Sequence, residues 1–379
     1  MFSLTLTHLR FTVEALTPVR LSGYNAGSQL RGALANVMRR AYCAAWPPSP
    51  QRGDVSLEAK RSGEGKGVRA DPAHTATCPV CWLLAANEHP GEERRGYALV
   101  PPLNPPDCYA PGERFSFGLT LFGNALGSLP YFVLAVPEMG RMGVGAGRGQ
   151  FALRQVWAAD PLFGDPLHGA GESQPVLAEG ESLVHTPTLM ISAERVREVA
   201  AQLTGRGRLS LNFLTPMRLV EDGQLSKIPD FGVFFARLLK RLDELNEQFA
   251  DGERRPLDEV NALHAFADRV RLIETQTRWV EVWSGSSRTG KETPLSGFVG
   301  LATYSAPPEV WAPLLPWLIW GQGTQVGKDV VKGNGWYELV APGLRRYGRW
   351  LENPKVQTSN FKIQNSSPEA QEAVMSDRR

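Results

Sequence analysis

Two glycine-rich loops hold the residues of this chain best suited to handle a phosphate. The first runs from Gly140 to Gly149 and carries Arg141 and Arg148. The second runs from Gly321 to Gly335 and carries Gly323, Gly327, Lys328, Lys332 and Gly333. Glycine reaches positive φ without steric cost and lets backbone N–H groups approach a ligand. Successive N–H groups can then form an anion-binding concavity, and Arg or Lys adds charge that a phosphate chain can use. For each loop the plain alternative is a ligand-free turn between a helix and a strand. Two other glycine-loop chemistries are excluded. Asp329 follows Lys328, so the second loop lacks the Ser or Thr of a P-loop. Both loops follow helical patterns and precede strands, the reverse of a dinucleotide fingerprint.

The cysteines offer a second kind of chemistry. Cys78 and Cys81 form a C-x-x-C pair, which is half of a zinc site. Cys43 and Cys108 are the candidate completing ligands, with His74 and His89 as alternatives. The competing reading is that the cysteines are small buried hydrophobes. A zinc held here would be structural. A thioredoxin-like role is excluded, because the pair does not open a helix after a buried strand. Four cysteines in 379 residues are not a disulfide framework, which points to a reducing cytoplasm. His8, His168, His185 and His264 have no partner at a diagnostic spacing.

The elements around the two loops repeat. FSFGLTLFG at 115–123 and LPYFVLAVPEMG at 129–140 precede the first loop. LSGFVGLATYS at 295–305 and PPEVWAPLLPWLIWG at 307–321 precede the second. Each set reads as a strand, a Pro-opened apolar helix, a basic glycine loop and a closing strand. Upstream, alternation over 2–14 predicts a strand, with a change of parity near His8. Ser28 is a plausible N-cap for a helix over 28–43, where Leu30, Ala33, Leu34, Val37 and Met38 form one stripe. Arg31, Arg39 and Arg40 lie off that stripe. In the second half, helices are predicted over 192–204, introduced by Ser192, over 230–250 and over 257–273, with strands over 209–220 and 279–283. Asp230 caps the clearest helix, whose Arg237, Lys240 and Arg241 lie away from its apolar stripe.

Each half thus reads strand, helix, strand, strand, helix, strand, the ferredoxin-like order of the α+β class. The expected domains are 1–157 and 181–355, joined by a Gly-, Pro- and Asp-rich linker at 158–180. Residues 47–76 read as a disordered insertion and 356–379 as a mobile tail. The net charge is only +2, so any basic surface must be local. The longest apolar stretch, Val310 to Trp320, is too short to cross a membrane and holds Pro313 and Pro316.

With the elements in place, a resemblance becomes specific. Gly297, Gly300, Gly327, Lys328, Gly333, Gly335, Trp336 and Tyr337 resemble the closing motif of the CRISPR-associated repeat-RNA processing endoribonucleases of the RAMP superfamily. LNFLTPMRL at 211–219, PDFGVFFARLLKRLDEL at 229–245 and WVEVWSGSSR at 279–288 resemble the same domain. GSQLRGALANVMRR at 27–40 and the segment 129–151 resemble the superfamily in the first half. The resemblance implies tandem ferredoxin-like (RRM-like) domains and CRISPR precursor RNA as partner, with other CRISPR effector subunits as further partners. It implies metal-independent cleavage, in which a ribose 2′-hydroxyl attacks the phosphate and leaves 2′,3′-cyclic phosphate and 5′-hydroxyl ends. No cofactor is then needed for catalysis. Arg31, Arg39, Arg141, Arg148, Gly327, Lys328, Lys332, Gly333 and Gly335 are the candidate RNA contacts. Related enzymes often use a histidine near the first helix, yet 16–46 contains none. Tyr24 and Lys328 are the candidate catalytic groups, Tyr24 to orient a hydroxyl or donate a proton and Lys328 to stabilise phosphorane charge. The missing histidine keeps a second reading open, a non-catalytic RNA-binding scaffold subunit. A third class, an assembly protein with two plain turns, fits the near-neutral charge.

Overall fold

The structure, a computed structural model, describes residues 2–44, 72–85, 94–162, 172–221, 223–285, 292–342, 344 and 346–348. Most of the expected insertion, the expected tail, His89 and His168 lie outside the described residues.

The first half forms β1 (Leu6–Ala15), α1 (Ala26–Tyr42), α2 (Pro72–Thr77), α3 (Pro79–Ala85), β2 (Tyr97–Val100), β3 (Arg114–Phe122), α4 (Leu129–Met142), β4 (Phe151–Asp160) and β5 (Glu172–Leu177). Its sheet runs β2-β3-β1-β4-β5, antiparallel throughout. The second half forms α5 (Ala193–Leu203), β6 (Arg208–Met217), a small hairpin of β7 (Leu219–Glu221) and β8 (Gln224–Ser226), α6 (Phe231–Phe249) and α7 (Leu257–Ala267). It continues with β9 (Arg271–Val280), a hairpin of β10 (Trp283–Gly285) and β11 (Glu292–Pro294), β12 (Gly297–Ser305), α8 (Pro308–Thr324) and β13 (Tyr337–Val340). Its main sheet runs β13-β6-β12-β9, also antiparallel. In both sheets the first strand sits between the third and the fourth, the ferredoxin-like arrangement.

Four layers result. On one face of the first sheet, Leu9, Phe11 and Val13 of β1 share a core with Leu30, Leu34 and Met38 of α1 and Phe132 and Val136 of α4. On the other face, Leu6 and Phe122 share a core with the second half, including Leu238 and Leu318. The inner helices α6 and α8 thus fill the space between the two sheets. This explains the parity change near His8. Both faces of β1 are buried, so His8 points at the second half, where its Nε2 meets the Tyr347 hydroxyl, while its Nδ1 meets the hydroxyl of Thr120 on the neighbouring β3. The irregularity lies instead between Thr12 and Val13, against β4.

Caps predicted at two helices are present. The Asp230 carboxylate accepts from the Val233 N–H, and the Ser192 hydroxyl from the Arg195 N–H. Other expectations need correction. Ser28 does not cap α1, which starts at Ala26; its hydroxyl bonds Ser284 of β10. Residues 72–76, expected in the insertion, are helical. The expected linker contains β5, which pairs with β4. The helix expected over 257–273 stops at Ala267, and the strand expected at 279–283 begins at Arg271. Residues Arg271–Gln276 are exposed on the sheet edge, so burial leaves no alternating pattern to read there.

Burial pushes the His8 imidazole down from 6.5 to about 3. Between those values the unfolded chain binds a proton that the folded chain refuses, so stability falls as pH is lowered through 6.5. Going from pH 6.5 to 5.5 should cost about 1 kcal/mol through this one group. The thermal midpoint read across that step should show the loss, and His8→Gln should flatten it. An unchanged pH slope in the variant would show that other groups carry the dependence.

Candidate nucleic-acid interface

The site is built around α1. Its buried stripe of Leu30, Leu34, Val37 and Met38 fixes one side to the first sheet. At its N-terminal end it lies directly on the second glycine loop. A Cβ added to Gly27 would stand 2.1 Å from the Lys332 carbonyl oxygen, so only glycine permits the approach. The loop holds its shape by inward hydrogen bonds. The Val326 N–H donates to Gly335, the Gly335 N–H to Pro216 and the Lys328 N–H to Arg218. The Lys332 N–H donates to Asp329 and the Gly333 N–H to Val330. Gly327, Gly333 and Gly335 all take positive φ. Gly321 and Gly323 belong to the end of α8, where a side chain would strike the Tyr337 hydroxyl or Leu6.

These bonds correct the expected anion concavity. The N–H groups of Lys328, Lys332, Gly333 and Gly335 are engaged by carbonyls of Arg218, Asp329, Val330 and Pro216. The same holds in the first loop, where the Gly143, Val144, Ala146, Arg148 and Gly149 N–H groups donate to carbonyls at Met139, Gly149, Arg20, Gly145 and Val144. These N–H groups are therefore already engaged and are not open to a ligand.

Two clefts flank α1. One, of about 450 Å³, is lined by Arg31 of α1, Arg94 and Arg95 before β2, Arg241 of α6, and Gly327, Lys328, Asp329 and Lys332 of the loop. Six cations therefore line it against a single carboxylate among the described residues. Asp329 pairs with Lys332 at 2.9 Å. Arg94 pairs with Glu244 at 2.5 Å. Lys328 is exposed. The Arg31 Nε is buried without a hydrogen-bond partner among the described residues. Arg241 is buried; its Nε donates to the Thr324 carbonyl, and its guanidinium lies 5.6 Å from the Phe122 ring centre. Burial, and then the neighbouring Arg94 charge, push its guanidinium down to about 9. Both effects oppose the cation, and an anion in the cleft would relieve both.

The other cleft, of about 440 Å³, lies between α1, the first glycine loop and β10. Gln29, Asn36 and Arg40 come from α1, Arg148 from the loop and Ser284 from β10. The structure thus brings Arg31, Gly327, Lys328 and Lys332 together in one cleft and sets Arg148 in the other. Gly333 and Gly335 shape the loop from beneath. Arg39 and Arg141 line neither cleft. Arg141 sits on the last turn of α4, not in the loop, and forks onto Glu138. Tyr24 lines neither cleft; it packs against Val280, Val282, Leu295 and Val299, and its hydroxyl accepts from Arg278 at 3.4 Å. Sequence reasoning missed Arg94 and Arg95. It placed Arg241 only away from the apolar stripe of α6; in the structure Phe122 of the first sheet lies against that side.

The cysteines are also rearranged. Cys43, Cys78 and Cys81 converge with His74, the four ligand atoms lying within 4.8 Å of one another. Cys108 stands apart, its thiol directed at the Tyr109 carbonyl. The reason is the pairing of Tyr109 with Val19, which ties that connector to the turn after β1.

Residues 211–337 match the family of the CRISPR-associated endoribonuclease Cas6. The match falls within the second half. Residues 4–188 match a family described as an N-terminal domain. The Cas6 match runs from β6 to the start of β13 and so contains the whole second glycine loop. Among solved structures, Thermus thermophilus Cas6 is similar with a TM-score of 0.50 and 16% identity, over 89% of this chain and 99% of that one. A Cas6 product complex is similar with a TM-score of 0.50 and 16% identity, over 88% of this chain and all of that one. A partial Cas6-RT-Cas1–Cas2 complex gives 0.52 at 14% identity, over 89% of this chain and 46% of that one. At such identities the likeness is one of fold. No curated protein matches the chain by sequence.

The Gly27 contact can be tested within one helix. In an ordinary helix interior Gly→Ala stabilises by up to ~1 kcal/mol. Gly32→Ala should do so, because an added Cβ there meets nothing within 4 Å. Gly27→Ala should instead destabilise by about 1–3 kcal/mol, the cost of overpacking. Denaturant unfolding of the two variants would give shifts of opposite sign; a stabilising Gly27→Ala would disprove the close seat of α1.

Proposed function

We propose that this chain processes CRISPR repeat RNA, binding it along α1 and cleaving it without a metal ion. The observation that carries the reading is the basic cleft in which Arg31 of one ferredoxin-like unit meets Lys328 and Lys332 of the other, inside the Cas6-matching segment. A cleft lined by Arg and Lys suits a phosphate backbone. The neighbouring cleft, with its amides and hydroxyls at Gln29, Asn36 and Ser284, suits base edges and ribose hydroxyls in single-stranded RNA.

In the proposed reaction the 2′-hydroxyl upstream of the scissile phosphate loses its proton and attacks phosphorus. The 5′-oxygen leaves and is protonated, giving 2′,3′-cyclic phosphate and 5′-hydroxyl ends. Lys328 stabilises the charge that builds on the phosphorane, with Arg31 beside it. Tyr24 is assigned to holding the first turn of α1 against the end of β9.

A second reading, a repeat-RNA scaffold without catalysis, is favoured by where the described histidines lie. His8 is buried between the layers. His74 stands in the cysteine cluster. His264 lines a separate hollow against α6. His185 follows β5 and bonds Val176 through its backbone.

The chain should be incubated with its own locus's repeat RNA in EDTA. Cyclic-phosphate products, lost on 2′-deoxy substitution upstream of the cut, support the enzyme. Salt-sensitive binding without cleavage supports the scaffold. No binding at low salt removes both. Arg31→Ala and Lys328→Ala should weaken binding alike across RNA sequences, each lowering the slope of log affinity against log salt by about 0.7–0.9. A salt slope equal to that of the unaltered chain would exclude both residues as phosphate contacts.

A further inference from the structure

We propose that Cys43, His74, Cys78 and Cys81 bind one zinc ion, which staples the C-terminal end of α1 to the α2–α3 segment. The donor set comes first. Three thiols and an imidazole are the soft and borderline ligands that select zinc among common divalent ions. The geometry agrees. A tetrahedral zinc with Zn–S of about 2.3 Å spaces its ligand atoms roughly 3.5 to 3.8 Å apart. The Cys43 sulfur lies 3.5 Å from the Cys81 sulfur and 3.2 Å from the His74 Nε2. All four ligand atoms fall within 4.8 Å of one another. Packing as small hydrophobes would bury the thiols but would not aim three sulfurs and a ring nitrogen at one point.

Local structure makes the convergence possible. Cys43 follows the last turn of α1, and its N–H caps that helix by donating to Arg39. His74 lies on α2, Cys78 between α2 and α3, and Cys81 on α3. The Cys78 N–H donates to the His74 carbonyl, so the two ligands are one helical turn apart. The C-x-x-C turn then brings Cys81 back beside Cys78. The three cysteines are buried against Val80, Leu83 and Leu84, which keeps water from the thiolates.

The segment also needs such a clip. Helices α2 and α3 have 6 and 7 residues, well short of the roughly 12–15 at which an isolated helix becomes marginally stable. Cys43 and His74 are 31 positions apart in sequence. Closing so long a loop through a metal restricts the unfolded chain far more than a local contact would. Binding deprotonates the thiols, and its free energy becomes folding free energy. The zinc would have no place in catalysis, because none of its four ligands lines either cleft beside α1.

The test is elemental analysis of the full chain after extensive dialysis. About one zinc per chain is expected, as for a closed structural site. Titration with a mercurial, read by a zinc-sensitive dye, should release it together with reaction of the thiols. Cys108→Ser should retain the metal. His74→Ala and the pair Cys78→Ser with Cys81→Ser should lose most of it, and a strong zinc chelator should lower the thermal midpoint of the unaltered chain. An unaltered chain that carries no zinc would overturn the proposal. So would full zinc content in the double cysteine variant. Should the variants fail to fold, the zinc content and mercurial release of the unaltered chain still decide the matter. None of these readouts involves RNA, so the outcome is separate from that of the proposed function.

Discussion

The backbone contact between Gly27 and Lys332 is the constraint on which the rest of the site depends. The helix belongs to the first ferredoxin-like unit and the loop to the second, so this contact fixes one unit against the other. Its neighbours depend on the same fit. The Gln325 side-chain amide donates to the Leu99 carbonyl of β2, and Pro101 packs so closely on Gly333 that a side chain there would collide. A helix held some ångströms farther away would leave Arg31 out of reach of Lys328 and open the basic cleft to bulk water. There the same charges would attract a phosphate far less strongly.

That cleft also explains how a chain with a net charge of +2 can be suited to a polyanion. The charges are not spread but gathered, and some are held where solvation is poor. Arg241 is buried beside Arg94, and both burial and that neighbouring charge disfavour the Arg241 cation. Glu244 offsets part of this through Arg94 and Lys240. The remainder favours an incoming phosphate, because the desolvation cost has already been met in folding. A long-range electrostatic pull, by contrast, is weak for so small a net charge. Recognition should therefore be decided by contact more than by steering.

Much of this was legible in the sequence, and the illegible parts have identifiable causes. Apolar stripes and caps gave α5 and α6, whose Ser192 and Asp230 caps are present as predicted. The strand–helix–strand order, read twice, gave both ferredoxin-like units. Arg31, Lys328 and Lys332 could be chosen because glycine and basic residues mark a loop whatever it packs against. Residues whose roles come from tertiary contact could not. Arg241 sits on the polar side of a helix whose polar side happens to face the other unit. His74 completes the cysteine cluster because α2 and α3 fold back onto the end of α1, which spacing alone does not encode. The engaged N–H groups of the glycine loops were invisible for the same reason: composition supplies the conformational freedom, but the partners come from β6, from the turn after β1 and from the loop itself.

Layer order accounts for why two copies of one fold yield one site. The helix equivalent to α1 in the second unit is α6. It lies in an inner layer, with Phe234, Leu238 and Leu242 on its own sheet and Arg241, Glu244 and Asn246 turned toward the first unit. Asn246 accepts from the Ser3 and Leu4 N–H groups, and Arg241 reaches back to Thr324. A helix covered on both sides cannot be walled by a loop along each flank, and α6 reaches the basic cleft only through Arg241. α1 lies in an outer layer, and Asn36 and Arg40 remain exposed. Its flanks can therefore be walled by one glycine loop on each side. The duplication supplies two loops; the stacking of the units leaves a single helix for both to serve.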